Sequence, residues 1–238
     1  MKSVNSLRLA PWVLGALALT IAWDLSGFDL ILAHVFGNDH GFAWREHWLQ
    51  TAVFHNGAKV VAWLLALTLV LAVWWPVGSL RRIPKTRRVQ LAATTVIATV
   101  LVSVIKMGSH TSCPWDLQEF GGMAHYVSHW SWGSLDGGHG HCFPAGHASA
   151  GFAFVGGYFA FRTTDRKVAL RWLFGALAAG LVLGLAQQVR GAHFMSHTLW
   201  TAWVCWAAAW AGDAATKWWL NHHEQRPVFE PAAFQGTR

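Results

Sequence analysis

Three short polar segments carry residue types that could bind a phosphate and transfer it. They cover residues 106–114, 142–147 and 190–197, and are called here the Lys106, His147 and His193 segments. Each lies at the end of a strongly apolar stretch, so packed helices could bring all three to one depth. Lysine and arginine hold phosphoryl oxygens, while imidazoles act as nucleophiles or general acids. The pattern predicts phosphoryl transfer without a metal, just outside a membrane.

The composition is that of an integral membrane protein. Of the 238 residues, 54% are apolar and only 12% are charged, whereas a soluble domain carries about 25% charge. Several apolar stretches approach the roughly 20 residues that cross a bilayer as a helix. The predicted spans are roughly residues 10–33, 58–79, 89–107, 145–162, 168–189 and 197–214. We therefore predict one all-α domain over residues 1–238, built as a six-helix transmembrane bundle.

The basic residues indicate how this bundle is oriented. With six spans, both termini lie on one side of the membrane, together with residues 80–88 and 162–171. That side holds 14 of the 18 Lys and Arg residues, and such an excess marks the cytoplasmic face. The other four are Arg45, Lys59, Lys106 and Arg190. The three polar segments therefore face the extracytoplasmic side, and the net charge of +7 reflects membrane orientation rather than nucleic-acid binding.

The sequence predicts a different structure for each end of the chain. A basic start followed by an apolar run resembles a signal peptide. The small-residue pattern Ala16-Leu-Ala18 lies inside that run rather than after it, so we expect an uncleaved first span. Asp24 and Asp29 interrupt its later part, which indicates a short or tilted span. The tail from about residue 221 to 238 is expected to be poorly ordered.

Two regions between the spans have compositions suited to the membrane surface. Trp44 and Trp48 are one helical turn apart within residues 36–57, which predicts a helix lying at the interface. Residues 108–143 form a long extracytoplasmic loop that is rich in Gly, His and Trp. Loops of this length in compact domains usually carry function.

Each polar segment also has an alternative interpretation in which it plays no catalytic role. Lys106, at the end of the third span, is compatible with a lysine that snorkels to the membrane surface. Gly146 and the proline before it favour a helix start that binds anions, or simply a turn with an interfacial histidine at His147. His193 and His197 are four residues apart and share a helical face. Such a pair can bind Zn²⁺ or belong to a polar hinge between spans.

Two of the three cysteines fall in the extracytoplasmic loop. Cys113 and Cys142 lie on the oxidising side, whereas Cys205 lies inside the last predicted span. Disulfides persist in oxidising compartments, so we predict a Cys113–Cys142 bridge that closes a loop of about 30 residues. Two unpaired thiols are the alternative. The bridge would hold the Lys106 and His147 segments in register.

The order of the three segments resembles the motifs of the type-2 phosphatidic acid phosphatase superfamily, which includes vanadium haloperoxidases. The family pattern is Lys-x6-Arg-Pro, then Pro-Ser-Gly-His, then Ser-Arg-x5-His-x3-Asp. The chain has Lys106-x6-Cys113-Pro114, then Pro144-Ala145-Gly146-His147, then Gly191-Ala-His193-Phe-Met-Ser196. The last of these is similar to a Gly-x-His-(Tyr/Phe)-x-Ser stretch common in the family. The resemblance covers roughly residues 58–214.

The resemblance implies roles for individual residues. His193 becomes the nucleophile that forms a phosphohistidine, and His147 becomes the general acid for the leaving group. Lys106 and the backbone of Ala145 and Gly146 would hold the phosphoryl oxygens. Such chemistry depends on positioning and charge neutralisation, so we expect neither a cofactor nor a metal.

The chain departs from the family pattern at two further positions. The family arginine corresponds to Gln187, and we expect Arg190 to replace it because Arg190 follows within one helical turn. The family aspartate corresponds to His197, a neutral residue that would orient His193 and stabilise its charged form less well. Loop carboxylates are alternative orienting groups: Asp116, Glu119 and Asp136. Either the site is rebuilt with such residues or activity is lost, and we expect a rebuilt site.

These features together predict a bacterial inner-membrane lipid phosphatase with its active site facing the periplasm. Its partners would be a lipid phosphate or pyrophosphate and the surrounding membrane lipids; the oligomeric state is open. A lipid-to-lipid phosphotransferase is a close variant, because only the acceptor differs. A His-rich metal-binding or metal-transporting protein is the rival, since eight of the 14 histidines lie between His110 and His197. A catalytically inactive lipid-phosphate binder is a third interpretation.

Overall fold

The computed structural model describes residues 9–131 and 133–224, and within them the architecture is all-α, as predicted. The α-helices are α1 (Ala10–Leu25), α2 (Phe28–His34), α3 (Ala58–Leu71), α4 (Lys85–Met107), α5 (Gly146–Phe152), α6 (Gly156–Phe161), α7 (Arg166–Val189) and α8 (Met195–Glu224). A π-helical segment, Leu49–Gly57, runs directly into α3, and a small hairpin pairs β1 (Gly37–Asn38) with β2 (Gly41–Phe42). Short 3₁₀ turns cover Gly78–Arg82, Pro114–Asp116, Gln118–Phe120 and Ala153–Val155. Most of the tail predicted to be poorly ordered lies outside the described residues.

In the part of the chain that the structure describes, three helical stretches are long and apolar enough to cross a membrane: Leu49–Leu71, Lys85–Met107 and Arg166–Val189. The bent pair α1 and α2 makes a fourth if it counts as one span. The chain is therefore an all-α membrane protein, but the predicted count of six spans is not confirmed. The other two predicted spans do form helices. The run from α5 to α6 is shorter than the roughly 20 residues of a full span, and α8 carries polar residues along its length.

The first predicted span is broken in its middle. The axes of α1 and α2 differ by 66°, and the connection between them includes Gly27 at a φ of 72°. Glycine adopts this left-handed conformation at little cost. Asp24 and Asp29 flank the bend, and both accept hydrogen bonds from α8. The interruption read from the sequence is thus a real break in the helix.

The interfacial helix expected around Trp44 does not form there. Trp44 lies in a turn after the hairpin, and the helical segment begins only at Leu49. Gly41, with a φ of 101°, permits the tight hairpin turn that the spacing of the tryptophans did not reveal. The second membrane stretch therefore starts earlier than predicted, at Leu49, and ends at Leu71, well before Pro76.

Glycines hold α5 tightly against α7. A Cβ at Gly151 would lie 2.2 Å from the backbone nitrogen of Gly180, and a Cβ at Gly180 would lie 2.3 Å from the Phe152 ring. Small residues allow such close approach of helices in membrane proteins. A larger side chain at either position would push the helices apart. This contact fixes the position of α5, and with it His147, relative to α7.

The outer faces of the helices are apolar. On α3, Val60 is 58% exposed, Trp63 64% and Leu64 59%, and on α4 Val100 and Val104 are about equally exposed. Contiguous apolar surface of this kind is unfavourable in water, whereas lipid tails solvate it. The exposed faces therefore agree with a bundle that sits in a bilayer.

A buried carboxylate ties three helices together at the end of the bundle opposite the polar segments. Asp213 of α8 is fully buried and pairs with Arg87 at 2.8 Å, with Lys217 at 3.0 Å and with Arg162. Arg87 belongs to α4 and Arg162 directly follows α6. Such a network is stable only while its charges remain paired. This network gives Arg87, Arg162 and Lys217 a structural role.

The long loop between α4 and α5 packs over the helix ends rather than extending from them. Its apolar side chains join a small buried cluster with the hairpin and the start of α8: Leu117, Phe120, Ala124, Phe42 and Phe194. The buried carboxylate of Asp136 accepts hydrogen bonds from the backbone N–H and the hydroxyl of Ser112. The loop is thereby fastened to the Lys106 segment.

Candidate active site

His193 lies in the short connection between α7 and α8. Gly191 turns the chain there with a φ of 78°, and an added Cβ would lie 2.3 Å from the Phe42 ring. The side chain of His193 is buried, and its Nδ1 lies 3.5 Å from Nδ1 of His197 and 3.5 Å from Sγ of Cys142. The expected nucleophile and its expected orienting residue are therefore in direct contact.

The surroundings of His193 keep its imidazole neutral. Burial lowers the pKa of His193 well below its ordinary value of 6.5, and the positive charge of Lys106 lowers it further. A hydrogen bond with the Cys142 backbone acts in the opposite direction but does not cancel the shift. A neutral imidazole keeps a nitrogen lone pair, which is what a nucleophile needs.

Lys106 approaches the other two segments from the last turn of α4. Its side chain passes beside Gly146, where an added Cβ would lie 3.7 Å from Cδ of Lys106. Its charge acts on both His193 and His147. Lys106 therefore lies beside the His147 segment, and its phosphate-binding role stays a prediction.

His147 lies in the first turn of α5, among cationic side chains. Its ring packs on His55 of the π-helical segment, with 4.1 Å between the ring centroids. After His55, the charged groups that act most on this imidazole are Lys106, Arg190 and Lys59. Its Nδ1 is buried without a hydrogen-bond partner among the described residues. This concentration of positive charge is what an anion-binding site requires.

The start of α5 is fastened to α8. The backbone N–H of Ala145 donates to the carbonyl of His197 at 3.2 Å, and Oγ1 of Thr201 donates to the carbonyl of Ala145 at 3.1 Å. The Ala145 N–H that was predicted to hold phosphate is thus engaged within the protein. The N–H of Gly146 is next along the chain, and its predicted role as a hydrogen-bond donor to the phosphate remains a prediction.

Two arginines flank the same tryptophan beside the site. Cζ of Arg190 lies 5.2 Å from the centroid of the Trp115 ring, and Cζ of Arg45 lies 4.6 Å from it. Arg190 is 8% exposed, whereas the side chain of Arg45 is 46% exposed. An aromatic face fixes the plane of a stacked guanidinium. Arg190 is therefore the more enclosed cation, while Gln187 at the expected arginine position is buried and neutral.

The disulfide predicted between Cys113 and Cys142 is present. It joins the Lys106 segment to the His147 segment, and nearby backbone hydrogen bonds reinforce this connection. The N–H of Cys142 donates to the carbonyl of Thr111 at 2.9 Å. The bridge thus holds the two segments in register, as predicted, and brings Sγ of Cys142 against His193. Cys205 is buried and free.

The family comparison covers the part of the chain that contains all three segments. The family model of the PAP2 superfamily matches residues 88–223, which is more than half of the chain. The chain belongs to the PAP2 superfamily. Members of this superfamily are phosphatases, and membership therefore supports phosphatase activity on phosphate esters. No curated protein and no solved structure matches the chain.

The residue expected at the PAP2 aspartate position, His197, belongs to a longer series of ring contacts that ends in a hydrogen bond. Its ring centroid lies 5.7 Å from that of His193 and 5.6 Å from that of His129. Nε2 of His129 in turn lies 3.0 Å from a carboxylate oxygen of Asp24. The series leads from a carboxylate, through two imidazoles, to the imidazole expected to react. Such a series can fix the orientation of each ring in turn.

Asp24 and His129 were not predicted from the sequence as neighbours of the candidate site. Asp24 also accepts hydrogen bonds from the indole N–H groups of Trp130 and Trp200. A carboxylate inside an apolar helix usually has a functional or structural partner, so a signal was available. The partner His129 lies 105 residues away along the chain, and only the fold brings the two together.

Two of the three loop carboxylates have partners of their own. Asp116 accepts a hydrogen bond from the Trp115 indole at 3.1 Å and lies 4.0 Å from Nδ1 of His139. Asp136 is occupied by Ser112, and Glu119 is exposed. The orienting role suggested for Asp116 stays a prediction.

One group of side chains in this PAP2 site has the arrangement of metal ligands. Cys142, His193 and His197 are buried, and their donor atoms lie within 4.8 Å of one another. The sulfur of Cys142 is oxidised in the disulfide, and it is the thiolate that serves as a metal ligand. With the bridge intact, the group therefore offers two imidazoles and no thiolate.

Proposed function

We propose that the protein hydrolyses a lipid phosphate or lipid pyrophosphate through a phosphohistidine intermediate and without a metal. The reaction takes place at the extracytoplasmic face of a bacterial inner membrane. Membership of the PAP2 superfamily supports the phosphatase activity, and the apolar exterior supports the membrane setting. The orientation rests on the excess of Lys and Arg in the segments assigned to the cytoplasm.

One observation carries the proposal: three segments that are distant in sequence converge on one buried imidazole. Lys106 at the end of α4 and His147 at the start of α5 both act electrostatically on His193, which precedes α8. Arg190 acts on His147 from the end of α7. Phosphoryl transfer requires this combination of nucleophile, acid and cations around the transferred group.

The contacts of His193 assign its two nitrogens. Nδ1 faces His197 and Cys142, so Nε2 is the nitrogen left to attack phosphorus. In the first step the Nε2–P bond forms and the bond from phosphorus to the leaving oxygen breaks. His147 donates a proton to that oxygen as it leaves. Water then attacks phosphorus, the N–P bond breaks, and His147 takes a proton from the water.

The charges of the site favour this sequence when the substrate is bound. Lys106 and Arg190 neutralise the phosphoryl oxygens in an enclosed setting where electrostatic stabilisation is strong. Without substrate, burial lowers the pKa of His147, and the charges of His55, Lys106 and Arg190 lower it further. A bound phosphate brings negative charge that offsets them and favours the protonated imidazole. The general acid is thereby prepared by the substrate itself.

An apolar groove supports a lipid substrate. A cavity of about 830 Å³ lies between α3 and α7 and is lined mainly by aliphatic and aromatic residues. Its wall includes Ala150 and Gly151, which are one turn beyond His147 on α5. Pockets of this size accept a large part of a long-chain ligand. We assign the groove to the acyl or prenyl chain, with the phosphate reaching past α5 to His193.

The test is phosphate release from purified protein in detergent, measured with EDTA present. The substrates would be undecaprenyl pyrophosphate, phosphatidic acid, phosphatidylglycerol phosphate and a lipid A phosphate. Turnover of at least one of them in EDTA is the expected result. Turnover that requires added Zn²⁺ would support the metal-binding rival, and binding without turnover would support an inactive lipid-phosphate binder. Phosphate that appears on an added acceptor lipid would identify a phosphotransferase.

A further inference from the structure

Two of the three donor-atom separations in the group Cys142, His193 and His197 match those of a metal site, and the third, between Cys142 and His197, is within 4.8 Å. Nδ1 of His193 lies 3.5 Å from Nδ1 of His197 and 3.5 Å from Sγ of Cys142. With Zn–N bonds of about 2.05 Å and Zn–S bonds of about 2.3 Å, a tetrahedral centre separates two nitrogens by about 3.4 Å and sulfur from nitrogen by about 3.6 Å. Both separations in the protein agree with these values to about 0.1 Å.

Two further features of these side chains bear on metal binding. All three side chains are buried, and Nε2 of His197 has no hydrogen-bond partner among the described residues. A neutral imidazole that coordinates through Nδ1 carries its proton on Nε2, so both histidines can present Nδ1 to one ion. There are two obstacles: the sulfur of Cys142 is bonded to Cys113, and the positive charge of Lys106 acts on both histidines. A Cys142 thiolate removes the first obstacle and offsets the second.

We propose that reduction of the Cys113–Cys142 disulfide creates a buried site for a divalent cation such as Zn²⁺, with Cys142, His193 and His197 as ligands. A dithiol reductant supplies two electrons and two protons, so that the S–S bond becomes two thiols and the dithiol becomes a disulfide. The Cys142 thiol then loses its proton as the metal–sulfur bond forms. The bridge therefore keeps the site free of metal, and its loss makes the site metal-binding.

Metal binding at this position would stop the proposed phosphatase chemistry. The cation occupies Nδ1 of His193 and separates that nitrogen from His197, and it draws electron density from the imidazole that must attack phosphorus. Its positive charge also opposes the protonated form of His147. The inhibition rests on the proposed function, whereas the metal binding does not.

The experiment uses the full-length protein in detergent and Co²⁺ as a spectroscopic probe. Four samples are compared under anaerobic conditions: the oxidised protein, the protein reduced with a dithiol, Cys113→Ser and Cys142→Ser. Each variant loses the bridge and keeps one thiol of the pair, so the two are matched. Thiol labelling after denaturation verifies reduction, and circular dichroism verifies folding. A thiolate-to-cobalt charge-transfer band separates this site from binding by the exposed loop histidines.

The expected result is one Co²⁺ per chain, with the charge-transfer band, in the reduced protein and in Cys113→Ser without any reductant. The oxidised protein and Cys142→Ser should lack the band. Adding His197→Ala to Cys113→Ser should weaken binding at least about tenfold, since an imidazole ligand is lost. A folded Cys113→Ser and a fully reduced wild type that both lack the band would overturn the proposal. An equal band in Cys142→Ser would do the same.

Activity provides a separate measurement. Zn²⁺ should inhibit phosphate release by the reduced protein, and EDTA should restore it, while the oxidised protein should be insensitive. Equal inhibition of the oxidised protein would refute the link between the bridge and metal sensitivity. If no sample releases phosphate, the proposed function fails, yet the cobalt spectra still decide whether the metal site exists.

Discussion

His193 is the residue on which the proposed chemistry depends most directly. We expect His193→Ala to reduce phosphate release to the uncatalysed background, because His193 is the imidazole proposed to form the N–P bond. His125→Ala is the matched control, since His125 is exposed on the loop and should leave turnover unchanged. Phosphate release is measured by a colorimetric assay. In a second measurement, a substrate with a radiolabelled phosphate is used, and rapid quenching without acid traps the labelled phosphohistidine. Substantial turnover in His193→Ala would contradict the mechanism.

His147 is expected to act through proton donation, and its effect should depend on the leaving group. His147→Ala should slow hydrolysis of a lipid phosphate by about a hundredfold or more, the usual effect of losing a positioned acid. With p-nitrophenyl phosphate the loss should be much smaller, because nitrophenolate leaves without a proton. Comparing the two rates separates chemistry from structure. Equal losses on both substrates would show that His147 only supports the fold.

Arg190 is expected to hold the phosphate in place of the family arginine. Arg190→Lys keeps the charge but loses the planar group that stacks on Trp115. We expect kcat/KM to fall about tenfold to a hundredfold, as for a charged hydrogen bond worth about 1.5–3 kcal/mol. Arg45→Lys is the control, because Arg45 stacks on the same ring but is much more exposed. A larger loss of kcat/KM in Arg45→Lys than in Arg190→Lys would show that Arg45 holds the phosphate instead.

At the scale of helices, the start of α8 depends on a carboxylate from α2. Asp29 is buried and accepts the backbone N–H of Ser196 at 3.0 Å and the indole N–H of Trp23 at 2.9 Å. The first N–H groups of a helix have no partner within the helix. This carboxylate therefore connects the broken first span to the His193 segment.

We expect Asp29→Ala to lower the stability of the protein by about 1–2 kcal/mol, the range for loss of an N-terminal helix cap. Turnover should also fall, since His193 and His197 flank Ser196. Asp39→Ala is the matched control, because Asp39 is exposed beside the hairpin. Thermal unfolding in detergent measures both variants. A wild-type melting temperature for Asp29→Ala would show that α8 starts without help from α2.

For the whole molecule, the orientation in the membrane decides which compartment supplies the substrate. We expect Ser134→Cys, in the loop over the site, to react with a membrane-impermeant maleimide in intact cells after the outer membrane is made permeable. Thr164→Cys, between α6 and α7, should react only after cell lysis. Both positions are exposed, and the free native cysteine, Cys205, is buried. The opposite labelling pattern would place the site on the cytoplasmic side.

Much of the architecture could be predicted because it follows from local composition. Apolar length predicted the helical membrane stretches, and the motif spacing predicted the family to which the chain belongs. The disulfide was also predicted, because two cysteines lie in one loop that was expected to face an oxidising compartment. The hairpin near Trp44 and the bend at Gly27 were harder to predict from the sequence, because each depends on a single glycine with a positive φ.

The sequence by itself determined the types and the order of the reactive groups: Lys106, His147, Arg190 and His193 come from motifs that can be read along the chain. Only the tertiary structure decided which groups support them. The contact of Asp24 with His129, the packing of His55 on His147, and the sharing of Trp115 by two arginines all join residues from separate elements. Side-chain direction and helix packing set these contacts, and neither is encoded in local spacing.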